Sequence, residues 1–275
     1  MTNNISVVSV IRYDPNLLLN PVSIQASLSG LSITRIPATD DQLQICKDSL
    51  DPILFFLFPR HVARLNTAFQ HFWPDTLFKL DGATLVKALY PAISDLTRPH
   101  RLRTILSSDG SITVEPSIAV DRNDLFSGLR PDQDPESPWK IYLDSHPTTQ
   151  SDLTMFKTSD RSAYSVARER VLPASVPISS PIEILLYNPR NEITEGSLTN
   201  VAFFRNGKWV TPSSSSIGGL RGSVKAELLA SGAIHELSAD ENPVLVSSLI
   251  EGEKILLMNG VQGCTCGFYK SGSFP

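Results

Sequence analysis

Three stretches of this sequence carry side chains that could do chemistry. Lys157, in MFKTSDRSAYSVARERV, follows an apolar pair and precedes a helix. A lysine at such a corner is either solvated or partly desolvated, and desolvation lowers its pKa towards a nucleophilic amine. Glu195 lies in NEITEGSLTNVAFFRNGKWVTP, where a carboxylate, a glycine and small polar residues occupy the approach to a strand. An edge turn or a binding site would each explain that composition. Gly218-Gly219-Leu220-Arg221-Gly222-Ser223 then opens a helix. Glycines let backbone amides face an anion and the helix dipole adds attraction, so the run is a phosphate cup or a flexible turn. It is not a dinucleotide fingerprint, because no strand leads into G-x-G-x-x-G with an acidic residue following.

The elements that must position these residues alternate between strand and helix. Val7–Tyr13 reads as a strand, and the Ser/Thr/Asp-rich residues 25–50 read as an inserted loop. Val62, Leu65, Ala68, Phe69 and Phe72 recur at helical spacing, which predicts a helix over 60–72 that Pro74 stops. A second helix is expected over 83–90. Strands at 101–106 and 112–114 flank Asp109-Gly110 as a hairpin. Residues 121–140 are rich in Asp and Pro and lack periodicity, which puts a domain boundary there: 1–138 and 139–275. The second half is expected to hold strands at Trp139–Leu143 and Ile182–Tyr187. A helix capped by Ser159 or Asp160 should run to about Val171. A hairpin turns at Asn206-Gly207, a helix runs from Ser223 to a Gly232 cap, and a late strand covers 254–258.

Composition narrows the function. The 275 residues are 41% hydrophobic and 19% charged, enough apolar content for a real core, with a net charge of −4. That balance leaves no electrostatic footprint for nucleic acid, and no apolar run reaches membrane-spanning length. The N-terminus lacks a basic region and a cleavage site, so no secretory signal is expected; Asn4-Ile5-Ser6 would be a glycosylation acceptor only in a secreted chain. Three cysteines, Cys46, Cys264 and Cys266, suit a reducing, cytoplasmic compartment. Cys264-Thr265-Cys266 is too closely spaced for zinc and reads as strand, so no metal is expected.

Taken together and in this order, the lysine, the downstream glutamate and the glycine-led helix resemble the class IV aminotransferase family, pyridoxal-phosphate enzymes of fold type IV. The branch most similar is the aminodeoxychorismate lyase-like one. The resemblance covers residues 150–263 and, more thinly, 5–15 and 58–75. It implies an α/β (α+β) chain of two domains, a small N-terminal α/β domain and a C-terminal pseudo-barrel, with pyridoxal 5'-phosphate between them, assembled as a homodimer. It implies that Lys157, in FKTSDRSAY, carries the cofactor and acts as the catalytic base. Glu195, in ITEGSLTN, matches the carboxylate paired with the pyridinium nitrogen, and Thr199 and Asn200 follow it in the cofactor lining. Gly222, Ser223 and Val224 match the phosphate-binding helix start, and Arg64, in RHVARL, matches the H-x-x-R-L arginine that reaches the phosphate. Arg12, Asn259 and Gln262 fall in the segments expected to face a small amino substrate.

The same resemblance marks departures. Val224 stands where a phosphate-loop threonine is usual, Val10 where lyase members carry a threonine linked to proton transfer, and Gln262 where an arginine is frequent. The chain also starts later than most members. Three outcomes follow: elimination of pyruvate to give p-aminobenzoate, transamination of D- or branched-chain amino acids or amines, or a catalytically silent cofactor-binding protein. Val10, Val224 and Gln262 point towards the last; intact Lys157 and Glu195 point away from it.

Overall fold

A computed structural model describes residues 5–20, 22–29, 36–135 and 137–275. The chain forms two compact units, and both take residues from more than one stretch of sequence. The first holds Met1–Leu125, Lys157–Asp160 and Gly260–Gly263; the second holds Phe126–Phe156, Arg161–Asn259 and Cys264–Pro275. Residues 126–138, assigned by sequence to the first domain, therefore make their contacts in the second unit.

The first unit is built on a strand buried almost throughout, β1 (Val7–Tyr13). The region expected as a loop over 25–50 carries helix instead. A short α1 (Ile24–Leu28) is followed by α2 (Asp40–Asp48), which opens on a reciprocal capping box between Thr39 and Gln42. That box satisfies two end groups of the helix, and Leu43 and Cys46, three residues apart, give it a buried side. Residues 30–35 of this insert, and Asn4 of the acceptor triplet, lie outside the described residues. Next comes α3 (Phe58–Phe72), which buries Phe58, His61, Leu65, Ala68 and Phe69 at helical spacing and ends before Pro74. After it come α4 (Gly82–Leu89), β2 (His100–Leu106) and β3 (Ile112–Ile118), the last longer than the sequence suggested. The three strands form an antiparallel sheet in the order β1-β2-β3, with Ser9 opposite Thr104.

The other edge of β1 is taken by the lysine segment. Val8 N–H donates to the Lys157 carbonyl at 2.8 Å, and Ser159 N–H donates to the Ser6 carbonyl at 2.8 Å. Ser6 N–H in turn donates to Ser159 Oγ at 3.1 Å. This pairing corrects the expected helix cap. Ser159 is engaged by Ser6, and the helix that follows starts at Ser162 with Arg161 at its cap position and no side-chain cap.

The second unit is an eight-stranded mixed sheet. Its elements are β4 (Trp139–Leu143), α5 (Asp152–Met155), α6 (Ser162–Val171), β5 (Ile182–Tyr187), β6 (Ile193–Gly196), β7 (Asn200–Arg205) and β8 (Lys208–Thr211), then α7 (Ser223–Ala230), β9 (His235–Glu236), β10 (Lys254–Asn259) and β11 (Gly263–Tyr269). The strand order is β6-β5-β4-β11-β10-β7-β8-β9. β4 runs parallel to both β5 and β11, while β7 is antiparallel to β10 and β8. Ile141, Leu185, Val201, Phe203, Ile255 and Leu257 alternate along their strands to fill one core. Asn206 and Gly207 both take positive φ at the β7–β8 turn, as a tight hairpin of this kind requires.

Candidate active site

In the first unit, β1 and α3 bring Ser9, His61 and Arg64 together. His61 and Arg64 are three residues apart on α3 and so share a face. Arg64 Nη2 donates to Ser9 Oγ at 2.5 Å, and Ser9 Oγ lies 2.8 Å from His61 Nδ1. His61 is fully buried. Burial, the charge of Arg64 and the charge of Lys157 hold its pKa well below the ordinary histidine range. Arg64 is lowered to about 10 by burial. Its Nε is buried and has no hydrogen-bond partner among the described residues. A buried guanidinium beside a hydroxyl and a neutral imidazole, with a donor to spare, is a seat for an anion.

Arg12 sits differently. It is fully buried, its Nη2 is 2.7 Å from Asp14 Oδ2, and its Nη1 donates to the carbonyls of Val120 and Val261. Its work in the unit is to tie down the stretch Gly260–Gly263, which contains Gln262. Val10, also on β1, is partly buried, and Asn259 closes β10 in the second unit.

In the second unit the turn between β6 and β7 is organised by carboxylates. Glu195 is 3% exposed. Its Oε1 accepts from Tyr164 O–H at 2.7 Å and its Oε2 from Leu220 N–H at 3.0 Å. Burial and the neighbouring Glu195 push the Tyr164 phenol well up, so it stays protonated and donates. The Arg161 guanidinium lies over the Tyr164 ring, 3.6 Å from its centroid. Leu220 is held from both sides, because its carbonyl accepts from Asn200 Nδ2 at 2.8 Å. The glycine run allows this approach. Gly219 takes a φ of +102°, and a side-chain carbon there would press on the Thr194 carbonyl at 3.2 Å. At Gly222, a side-chain carbon would fall on Asn200 Oδ1.

A second acid, Glu183, holds the turn itself. Fully buried, it accepts from Ser197 Oγ at 2.6 Å, Thr199 Oγ1 at 2.7 Å and Leu198 N–H at 3.1 Å. Burial raises its pKa, and the Ser197 and Thr199 hydroxyls oppose the rise. The Thr199 hydroxyl is thus directed at Glu183. Gly222 caps α7 without a side-chain hydrogen bond, and Ser223 and Val224 are buried behind it.

Residues 51–266 match the family model described as Amino-transferase class IV. The chain belongs to this family. A provisionally named aminodeoxychorismate lyase of Schizosaccharomyces pombe is 31% identical over 211 residues, 74% of this chain and 80% of that protein. An aminodeoxychorismate lyase of Saccharomyces cerevisiae is 38% identical over 146 residues, which cover 48% of this chain and 37% of that longer protein. Among solved structures, an amino-acid aminotransferase assigned provisionally in Mesorhizobium loti superposes with a TM-score of 0.65 at 22% identity, covering 97% of this chain and all of that one. A 4-amino-4-deoxychorismate lyase of Pseudomonas aeruginosa gives 0.58 at 16% identity over 98% of this chain and 84% of that one. The fold is therefore fold type IV, and class IV aminotransferases are pyridoxal-phosphate enzymes.

Each unit carries groups that suit part of such a cofactor. In the first, Arg64 offers a buried donor to an anion; in the second, α7 starts at Gly222 without a side-chain cap and Glu195 is a buried carboxylate. Four residues around these groups were not singled out from sequence: Ser9, His61, Tyr164 and Glu183. His61 had a signal, its spacing from Arg64. Glu183 had none, since its partners Ser197, Leu198 and Thr199 lie in the β6–β7 turn.

Proposed function

We propose that this chain is a pyridoxal-phosphate-dependent aminodeoxychorismate lyase, which splits aminodeoxychorismate into p-aminobenzoate and pyruvate and so serves folate biosynthesis. The match to the Schizosaccharomyces pombe protein across 80% of its length carries this reading. On it, Lys157 bears the cofactor, Arg64 with the Gly222–Ser223–Val224 helix start holds the phosphate, and Glu195 keeps the ring nitrogen protonated. The cofactor supplies an electron sink for the carbon bearing the substrate amine. Tyr164 and the Leu220 amide each donate to Glu195 and orient it. The Lys157 amine takes the proton from the ring carbon that carries the substrate nitrogen. The carbon–oxygen bond to the enolpyruvyl group then breaks, the ring becomes aromatic, and the departing enol gains a proton to become pyruvate. Atoms balance without a co-reactant. We place the enzyme in the cytoplasm as a homodimer; among the described residues no helix is long and apolar enough to cross a membrane.

Val10 favours a second reading, transamination, because an aliphatic side chain relays no proton to the departing fragment, whereas transamination needs only the lysine. One pair of assays separates the two. Release of p-aminobenzoate from enzymatically made aminodeoxychorismate, with no keto acid formed from D- or L-amino acids, supports the lyase. Keto acid formation without p-aminobenzoate supports the aminotransferase. Neither product from cofactor-loaded protein would leave a silent binder.

A further inference from the structure

Arginine donates hydrogen bonds and accepts none. The Ser9 hydroxyl, 2.5 Å from Arg64 Nη2, must therefore accept there, and its own proton is left for another acceptor. His61 Nδ1 lies 2.8 Å away and takes that proton when the imidazole is neutral with its own proton on Nε2, the tautomer on which the inference below is built. The ring has little room to turn away. A side-chain carbon at Gly260 would come within 2.8 Å of His61 Cε1 and 2.7 Å of the Val10 carbonyl, so glycine is what lets this loop close over the ring. The chain of donors runs in one direction, Arg64 to Ser9 to His61, and consumes one guanidinium nitrogen while adding no negative charge. Arg64 Nε remains buried without a partner among the described residues.

We infer that Ser9 and neutral His61 are positioning residues that aim the Arg64 guanidinium and leave its charge for the phosphate of the cofactor. This rests on the reading above in which Arg64 holds that phosphate. A carboxylate in place of Ser9 would neutralise the arginine and compete with the ligand; a hydroxyl backed by an imidazole orients it without doing so. Fixing a long, flexible side chain before binding removes an ordering cost from the binding step.

The experiment compares pyridoxal phosphate with pyridoxal, which lacks the phosphate, by equilibrium binding to apo-protein. Bonding to Lys157 is common to both, so the ratio of their dissociation constants reports the phosphate grip. Ser9→Ala should lower that ratio about three- to tenfold with little change for pyridoxal, the effect of losing one hydrogen bond. Ser9→Thr, which keeps the hydroxyl, should restore it. His61→Leu, which removes the acceptor at similar volume, should act like Ser9→Ala, so either folded variant decides the matter. Inorganic phosphate should compete less well against pyridoxal phosphate in both variants. An unchanged ratio in folded Ser9→Ala or His61→Leu, or equal weakening of both ligands, overturns the inference while Arg64→Ala still collapses the ratio. An unchanged ratio in Arg64→Ala overturns the phosphate reading itself.

Discussion

Two buried charges, one in each unit, are treated in opposite ways. In the first, the Arg64 guanidinium has a hydroxyl and a neutral imidazole for company, and its Nε is buried without a partner among the described residues. In the second, the Glu195 carboxylate has a donor on each oxygen, the Tyr164 hydroxyl and the Leu220 amide. Burial alone disfavours both ions. The protein offsets that cost for the acid with two donors of its own, and gives Arg64 Nε no acceptor among the described residues.

Lys157 provides the largest test of this contrast, because its charge is felt by His61 in the arginine's unit. Lys157→Ala should abolish the adduct that borohydride fixes on the protein and lower turnover by roughly 10²–10⁴-fold, the range for a lost general base. Reversible binding of the phosphorylated cofactor should survive. Peptide mapping of the reduced wild-type protein should find the adduct on Lys157, and an adduct on another lysine would reassign the site.

Glu195→Gln comes next in size. It keeps volume and one acceptor but removes the charge that the Tyr164 and Leu220 donors are arranged around. A charge-assisted hydrogen bond is worth about 1.5–3 kcal/mol, so turnover should fall roughly ten- to a hundredfold while the cofactor stays bound. Unchanged turnover in a folded variant would remove Glu195 from the mechanism. At the other end, Arg64→Ala should raise the cofactor dissociation constant by about tenfold or more, from the same range of energies. Ser223→Ala should raise it only slightly, since backbone amides persist at the start of α7. The reverse ranking would mean that the phosphate sits elsewhere.

Part of the fold was legible in the sequence. The strands at Val7–Tyr13, Trp139–Leu143 and Ile182–Tyr187 have the bounds expected of them, whereas Lys157, Glu195 and Ser223 stand out by type and order and Arg64 only through the family resemblance. The α2 helix was missed although Thr39-Asp40-Asp41-Gln42 spells its capping box, because a Ser/Thr/Asp-rich composition reads first as loop. The start of α6 was misplaced because Ser159 can either cap a helix or pair with a strand, and only the fold shows that Ser6 claims it. Tyr164 and Glu183 were invisible for a related reason. A buried polar network depends on which strands and helices meet, and the partners of Glu183 lie at 197–199, in the turn that leaves the neighbouring strand β6.

The smallest expected effect concerns stability and tests the neutral side of the arginine seat. His61 is fully buried with its pKa well below the ordinary value of 6.5, and Ser9, Arg64, Lys157, the Phe56 backbone and the Gly260 loop face it. In the unfolded chain the same imidazole titrates near its ordinary value. Below about pH 6.5 the unfolded state therefore binds one more proton than the folded state, and stability must fall as pH falls. One proton corresponds to a slope of about 1.4 kcal/mol per pH unit. Denaturant melts of apo-protein at pH 7.5, 6.5 and 5.5 should show this loss set in below pH 6.5, before the carboxylates protonate. His61→Leu cannot take up the proton, so its stability should change less over the same interval, and the difference between the two curves isolates His61. Parallel curves would mean that the imidazole titrates normally in the fold. The ring would then charge below about pH 6.5 as readily as in the unfolded chain, the Ser9 proton would lose its acceptor there, and the Arg64 side of the contrast would fail.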